Sequence, residues 1–146
     1  MASGVSVSTE SKQVYDDVKK NKLHRYVIYC IKDEREIGVE IKGDRNASYQ
    51  DFLTQMKELK DQCRYCLFDF PAEAPQEGTN EPSKIALDRL VLMTWCPEGA
   101  RVKQKMLYAS SYDALKKSLV GVYKYVQACD FEELSQEAIE EALKKK

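Results

Sequence analysis

No apolar run in this 146-residue chain approaches the ~20 residues that cross a bilayer, so no transmembrane helix is expected. Neither sign of charge is in excess: 23 basic against 24 acidic residues leave a formal charge of −1. A nucleic-acid binder needs a broadly basic surface to displace counterions, so that class is disfavoured. There is one histidine, His24, at the start of an apolar run and beside Leu23 and Arg25. It reads as a partly exposed structural residue rather than a general base. The six glycines (Gly4, Gly38, Gly43, Gly78, Gly99 and Gly121) are dispersed, so neither a dinucleotide fingerprint nor a Walker loop can be assembled. The N-terminal MASGVSVSTESK lacks the charged-then-apolar pattern of a secretory signal. A cytoplasmic protein with reduced thiols is expected.

The five cysteines, Cys30, Cys63, Cys66, Cys96 and Cys129, are odd in number and scattered through apolar runs, as small buried hydrophobes are. Cys63 and Cys66 make a C-x-x-C pair. A zinc site would need a second such pair or more histidines. A thioredoxin-type motif would open a helix, whereas CRYCLFDF reads as a strand. Residues three apart on a strand face opposite sides, so these two sulfurs cannot meet. With no nucleophile–base set, metal cluster or phosphate loop in sight, the residues point to a non-enzymatic binding module without metal or cofactor.

A length of 146 residues suits one domain, 1–146, with one hydrophobic core. Ser8 predicts an N-cap for a helix over Thr9 to about Lys20, with Val14 and Val18 inward. HRYVIYCI, from His24 to Ile31, predicts a strand buried on both faces. EIGVEIK, from Glu36 to Lys42, alternates as a half-wet strand does. Ser48 and Asp51 form a capping box before Phe52, Met56 and Leu59 at helical spacing. Arg64 to Phe70 predicts the third strand. PAEAPQEGTNEPS, from Pro71 to Ser83, predicts a long exposed loop. Leu87 to Cys96 predicts the fourth strand, and Val122 to Ala128 a short fifth. Asp130 and Glu133 predict a turn, and Ser135 the start of a last helix that buries Ala138, Ile139, Ala142 and Leu143. The fold class is α/β, with a five-stranded mixed sheet between helices.

Between the last two strands lies the most informative stretch, LVLMTWCPEGARVKQKMLYASSYDALKKSLVG, from Leu90 to Gly121. Pro97 and Gly99 stop the strand, and a long helix starts near Ala100, bending near Ser110 and Ser111 and ending at Gly121. It carries Arg101, Lys103, Lys105, Lys116 and Lys117 against one acid, Asp113. Two readings stand: a docking surface, or a solvated lysine face on a core helix.

ARVKQKMLYASSYDALKKSLVG, the preceding LVLMTWCPEG, the CRYCLFDF strand and the terminal MASGV together resemble the actin-depolymerising factor/cofilin family. The likeness extends over essentially all 146 residues and is closest to the short insect-type members. It implies a fold of one five-stranded mixed sheet between helices, with residues 1–6 as a flexible arm. It implies a monomeric protein that binds ADP-actin monomers and filaments and promotes severing and depolymerisation. An alternative it also allows is a mainly monomer-sequestering protein with weak severing.

Carried across, the monomer surface comprises Ser3, Gly4, Val5, Arg101, Lys103, Lys105, Met106, Lys116 and Lys117. Ser3 is implied as a phosphorylation switch served by a kinase and a phosphatase. Lys103, Lys105, Lys116 and Lys117 are implied as a phosphoinositide site. A second, filament-specific surface falls on Lys84, Arg89, Glu141, Lys144 and Lys145. It is depleted here, because Ala86, Leu87 and Ala142 stand where the family carries basic residues. The family's nuclear-import-like run is diluted to KKNKLHR, which leaves nuclear entry unsupported. Lys124 stands where some vertebrate members have a pH-sensing histidine.

Overall fold

The computed structural model describes residues 4–70 and 89–144. In chain order the elements are β1 (Ser6–Val7), α1 (Thr9–Lys19), β2 (His24–Lys32), β3 (Glu36–Asp44), α2 (Tyr49–Lys57), β4 (Arg64–Phe70), β5 (Arg89–Trp95), α3 (Val102–Ser118), β6 (Lys124–Ala128) and α4 (Gln136–Lys144). Three helix starts follow from side-chain capping of otherwise unpaired N–H groups. Ser8 Oγ accepts from Ser11 N at 3.0 Å, and Ser135 Oγ accepts from Ala138 N at 3.1 Å. The Ser48–Asp51 capping box is reciprocal, with bonds of 3.1 and 2.9 Å.

The strands form one sheet in the order β1-β3-β2-β4-β5-β6. Its four central strands pair antiparallel, and both edge strands pair parallel. Among the described residues there are six strands rather than the five anticipated. The extra one, β1, sets Ser6 beside Glu36 and Val7 beside Ile37, with Ser6 N donating to Arg35 O at 2.9 Å. Two residues are too few to carry a period, which is why the sequence pattern conceals it. The arm anticipated over residues 1–6 is accordingly held from Val5 onward. Val5 is only 6% exposed and sits among Tyr108 and Leu115. Residues 1–3 lie outside the described residues.

Alternation along the strands sorts the core into two layers. Val27, Tyr29, Tyr65, Leu67 and Leu92 face α1 and α3. Ile28, Cys66, Phe68, Val91 and Met93 face α2 and α4. Fully buried Leu115 and Leu119 tie α3 and its C-terminus to the first layer, each contributing about 1.5–3 kcal/mol. On the other face Trp95 Nε1 donates to Leu59 O at 2.9 Å, and the Tyr49 hydroxyl to Leu134 O at 2.6 Å.

Several boundaries differ from expectation. β5 spans Arg89–Trp95 among the described residues; the anticipated strand start at Leu87 and the Pro71–Ser83 loop lie outside them. α3 begins at Val102, because a turn closed by Ala100 N on Pro97 O at 3.1 Å occupies the preceding residues. Its helical hydrogen bonding continues through Ser110 and Ser111; Ser110 Oγ donates to Leu107 O at 3.1 Å, and Ser111 is buried. It ends at Ser118 rather than Gly121. The Tyr15 hydroxyl and Lys19 Nζ both donate to Val120 O, at 2.6 and 3.0 Å, and hold the chain off the helical path. Gly121, at φ 99°, then makes a turn that an L side chain would strain, and β6 starts only at Lys124.

Candidate docking surface

α3 is anchored from below and open above. Underneath, the Tyr108 hydroxyl accepts from Ile31 N at 2.8 Å, Gln104 Oε1 accepts from Cys63 N at 2.8 Å, and the Tyr65 hydroxyl donates to Tyr108 O. Burial pushes the Tyr108 phenol up, and the hydrogen bond from Ile31 opposes that shift. Helical periodicity turns the opposite face to solvent. There Val102 and Met106, one turn apart, are 69% and 66% exposed. Lys103 and Lys105 fall on either flank of that apolar ridge, with Arg101 at the N-cap.

These charges are little engaged within the chain. Lys103 Nζ stands 3.6 Å from Glu34 Oε2, with the two side chains 82% and 63% exposed. Such a surface pair is screened and worth little, so the ammonium stays available to a partner. Lys105 Nζ donates to Glu98 O at 2.9 Å, which aims it toward the β5–α3 turn. Arg101 makes no side-chain cap, and the first turn of α3 holds no acid. The partial positive charge of the helix N-terminus is therefore not offset from within the helix and adds to the basic flank.

At the other end the second basic pair behaves differently. Lys116 Nζ sits over the rings of Tyr112 and Tyr125, 5.1 and 5.0 Å from their centroids, and is half-buried. Lys117 pairs with Asp113 at 3.1 Å on an exposed face. Burial, followed by the neighbouring Tyr125, pushes the Tyr112 phenol up to about 12. Lys116 is thus partly structural, whereas Lys103 and Met106 are exposed on the outward face, with the half-buried Lys105 on its flank.

The N-terminal residues arrive beside this helix. Gly4, at φ 88°, is exposed, and Val5 is buried in the layer that holds the underside of α3. Gly4 and Val5 are therefore brought together with α3, while Ser3 lies outside the described residues. The second residue set is not part of this patch. Glu141 is exposed on α4, across the sheet from α3, and Arg89 is half-buried at the first position of β5. Lys84, Lys145 and the Lys144 side chain lie outside the described residues.

The KKNKLHR run is largely spent on structure. Lys19 holds Val120 O, Lys22 Nζ lies 3.6 Å from the buried Asp69, and Arg25 Nη1 donates to Asp69 O at 2.8 Å. The sequence reading missed Val102. Its signal was an apolar residue four before Met106, out of phase with the inward Tyr108, Ser111 and Leu115. Cys63 and Cys66 do lie on opposite sheet faces, as their spacing requires.

A family model described as cofilin/tropomyosin-type actin-binding protein matches residues 4–144. Actophorin of Acanthamoeba castellanii is 35% identical over 144 residues, covering 98% of this chain and 97% of that one. A cofilin of Mycosarcoma maydis is 34% identical over 139 residues, covering 95% and 94%. The crystal structure of Streptomyces griseoflavus cofilin superposes with a TM-score of 0.81 at 28% identity, covering 96% of this chain and 99% of that one. A sheet covered on both faces, a basic helix open to solvent and agreement along almost the whole length converge: the chain belongs to the cofilin/actin-depolymerising factor family.

Proposed function

We propose that this chain binds actin through the outward face of α3 together with Gly4 and Val5, prefers ADP-bound subunits, and promotes filament severing and depolymerisation. One observation carries the reading: Val102 and Met106 form an exposed apolar ridge flanked by Lys103 and Lys105, on a helix whose opposite face is fixed in the core. Adjacent exposed apolar side chains framed by lysines suit a docking helix. The protein works by binding rather than by making or breaking bonds. Tighter binding to one filament geometry shifts the population toward it, and the coupling free energy does the work.

Arg89, Glu141 and the lysines at 84, 144 and 145 supply a second, filament-specific contact. α4 and α3 lie on opposite faces of the sheet, which suits a protein wedged between two subunits. Ser3 is the site of a kinase–phosphatase switch: a phosphate of roughly −1.5 to −2 charge repels an acidic partner and costs desolvation at the contact. Lys103, Lys105, Lys116 and Lys117 also attract phosphoinositide headgroups, in competition with actin, at about 1 kcal/mol per lysine near an anionic surface. No helix among the described residues is long and apolar enough to cross a membrane. Activity in the cytoplasmic actin cytoskeleton follows from the proposed role.

Co-sedimentation with filamentous actin, alongside fluorescence titration of ADP-actin monomers, tests the reading. Binding in both assays is expected. Absence of monomer binding overturns it, and monomer binding without filament binding selects the sequestering alternative. Vesicles containing phosphoinositide should displace actin and lose the protein at high salt. Simultaneous binding of both ligands refutes the shared surface.

A further inference from the structure

The β4–β5 register continues one step beyond the ends of the two strands. Arg64 stands opposite Trp95, so the next pair outward is Cys63 opposite Cys96. Neither residue's N–H points at the other strand: Cys63 N donates to Gln104 Oε1 at 2.8 Å and Cys96 N to Ala128 O at 3.0 Å. That is the non-hydrogen-bonded kind of antiparallel pair, with Cα atoms about 4.5 Å apart. A disulfide spans ~4.4–6.8 Å between Cα atoms. Both side chains fall on the α3 face of the sheet, and their sulfurs are 3.8 Å apart. Both are free thiols.

We propose that Cys63 and Cys96 form a dithiol site that a peroxide oxidises to an intramolecular disulfide bridging the end of β5 and the start of β4. The two thiols are unequally accessible. Cys96 is partly exposed and lines a cavity of about 250 Å³ with Lys105, Tyr108 and Cys129, whereas Cys63 is fully buried. Burial and the neighbouring Cys96 push the Cys63 thiol up and keep it protonated, so the partly exposed Cys96 meets the peroxide first and the buried Cys63 follows as the resolving thiol.

Cys96 sulfur attacks one oxygen of hydrogen peroxide and breaks the O–O bond. The other oxygen leaves as water, taking up the thiol proton, and Cys96 becomes a sulfenic acid. Cys63 sulfur then attacks the Cys96 sulfur, forming the S–S bond and breaking the S–O bond. The hydroxyl leaves as a second water with the Cys63 proton. The two thiols lose two electrons and two protons, and one peroxide is reduced to two waters. Rotation about the side-chain torsions closes the sulfur gap, because the backbone spacing already fits. Cys66 is excluded as a partner, since it is buried on the opposite face with its sulfur 3.6 Å from Met56 Sδ.

The bond closes the whole β4–β5 connection into a covalent loop and removes its freedom in the unfolded chain. The thermal midpoint should rise by roughly 8–12 °C. The test treats the reduced full-length chain with one equivalent of hydrogen peroxide, alkylates the remaining thiols and maps the digest by mass spectrometry. Expected are a fall from five alkylatable cysteines by two, a Cys63–Cys96 linked peptide pair reversed by dithiothreitol, and the raised midpoint. In Cys63→Ala the reaction should stop at a Cys96 sulfenic acid that dimedone traps, and in Cys96→Ala the Cys63 thiol should stay reduced. A Cys96–Cys129 link overturns the proposal, as does a chain-to-chain disulfide through Cys129 with Cys63 still alkylatable. The map of the unmutated chain decides the matter even if a variant fails to fold.

Discussion

Replacing Lys103 and Lys105 together by alanine should separate the stability of this protein from its binding. In the free chain Lys103 loses an ion pair with Glu34 at 3.6 Å between two largely exposed groups. That is worth at most about 1 kcal/mol after screening, and alanine's higher helix propensity returns part of it. Lys105 loses a hydrogen bond to the exposed Glu98 carbonyl at 2.9 Å, a term of similar size. The thermal midpoint should therefore move by no more than about 4 °C. Against an acidic partner, two close charge pairs at ~1.5 kcal/mol or more each total ~3 kcal/mol. That is a loss of affinity of about 150-fold or greater. Titration of fluorescently labelled ADP-actin with wild type and double variant, beside thermal unfolding of both, measures each quantity. An affinity within about threefold of wild type, with the midpoint intact, would refute the assignment of α3 as the docking helix.

Tyr108→Phe removes the acceptor of Ile31 N, and leaving that donor without its partner should cost about 1–3 kcal/mol, read as a midpoint lower by several degrees; an unchanged midpoint would mean that water replaces the hydroxyl. Ser3→Glu should weaken actin binding by placing charge at the docking interface, and equal affinity in titration would remove charge as the basis of the switch. Ala86→Lys with Leu87→Lys should raise filament co-sedimentation by about tenfold or more and leave monomer binding unchanged; no change would show that Lys84 and the lysine tail already suffice. Burial holds the Tyr112 phenol proton up to about 12, and Tyr15, Tyr29, Tyr49 and Tyr65 are raised in the same direction, against 10.0 for a free tyrosine. Their folded values lie above the unfolded one, so this contribution is complete below pH 10 and is lost progressively as pH rises through each folded value, first for Tyr112 and at still higher pH for the others. Unfolding followed by tyrosinate absorbance should show stability level to pH 10 and falling steeply beyond, and a fall beginning well below pH 10 would contradict it.

Local chemistry was enough to read most elements from the chain. Ser8, Ser48 and Ser135 begin helices because a hydroxyl three residues upstream satisfies an unpaired N–H, a purely local bond. β4 has the limits that its apolar run indicates, Arg64 to Phe70. The basic, methionine-bearing character of α3 was equally visible, and so was its family motif. What tertiary structure decided is non-local in each case. β1 exists because Ile37 and Glu36, some thirty residues away, offer a parallel edge to two residues with no strand signal of their own. The early end of α3 follows from Tyr15 and Lys19 binding Val120 O. Lys103 and Lys116 look alike in sequence, yet one reaches solvent and the other lies over two aromatic rings that β6 and α3 bring together. Cys63 was weighed against Cys66, its neighbour along the chain, while its neighbour in space is Cys96. Spacing along a strand tells which face a side chain takes, but only the register between strands tells what stands opposite it.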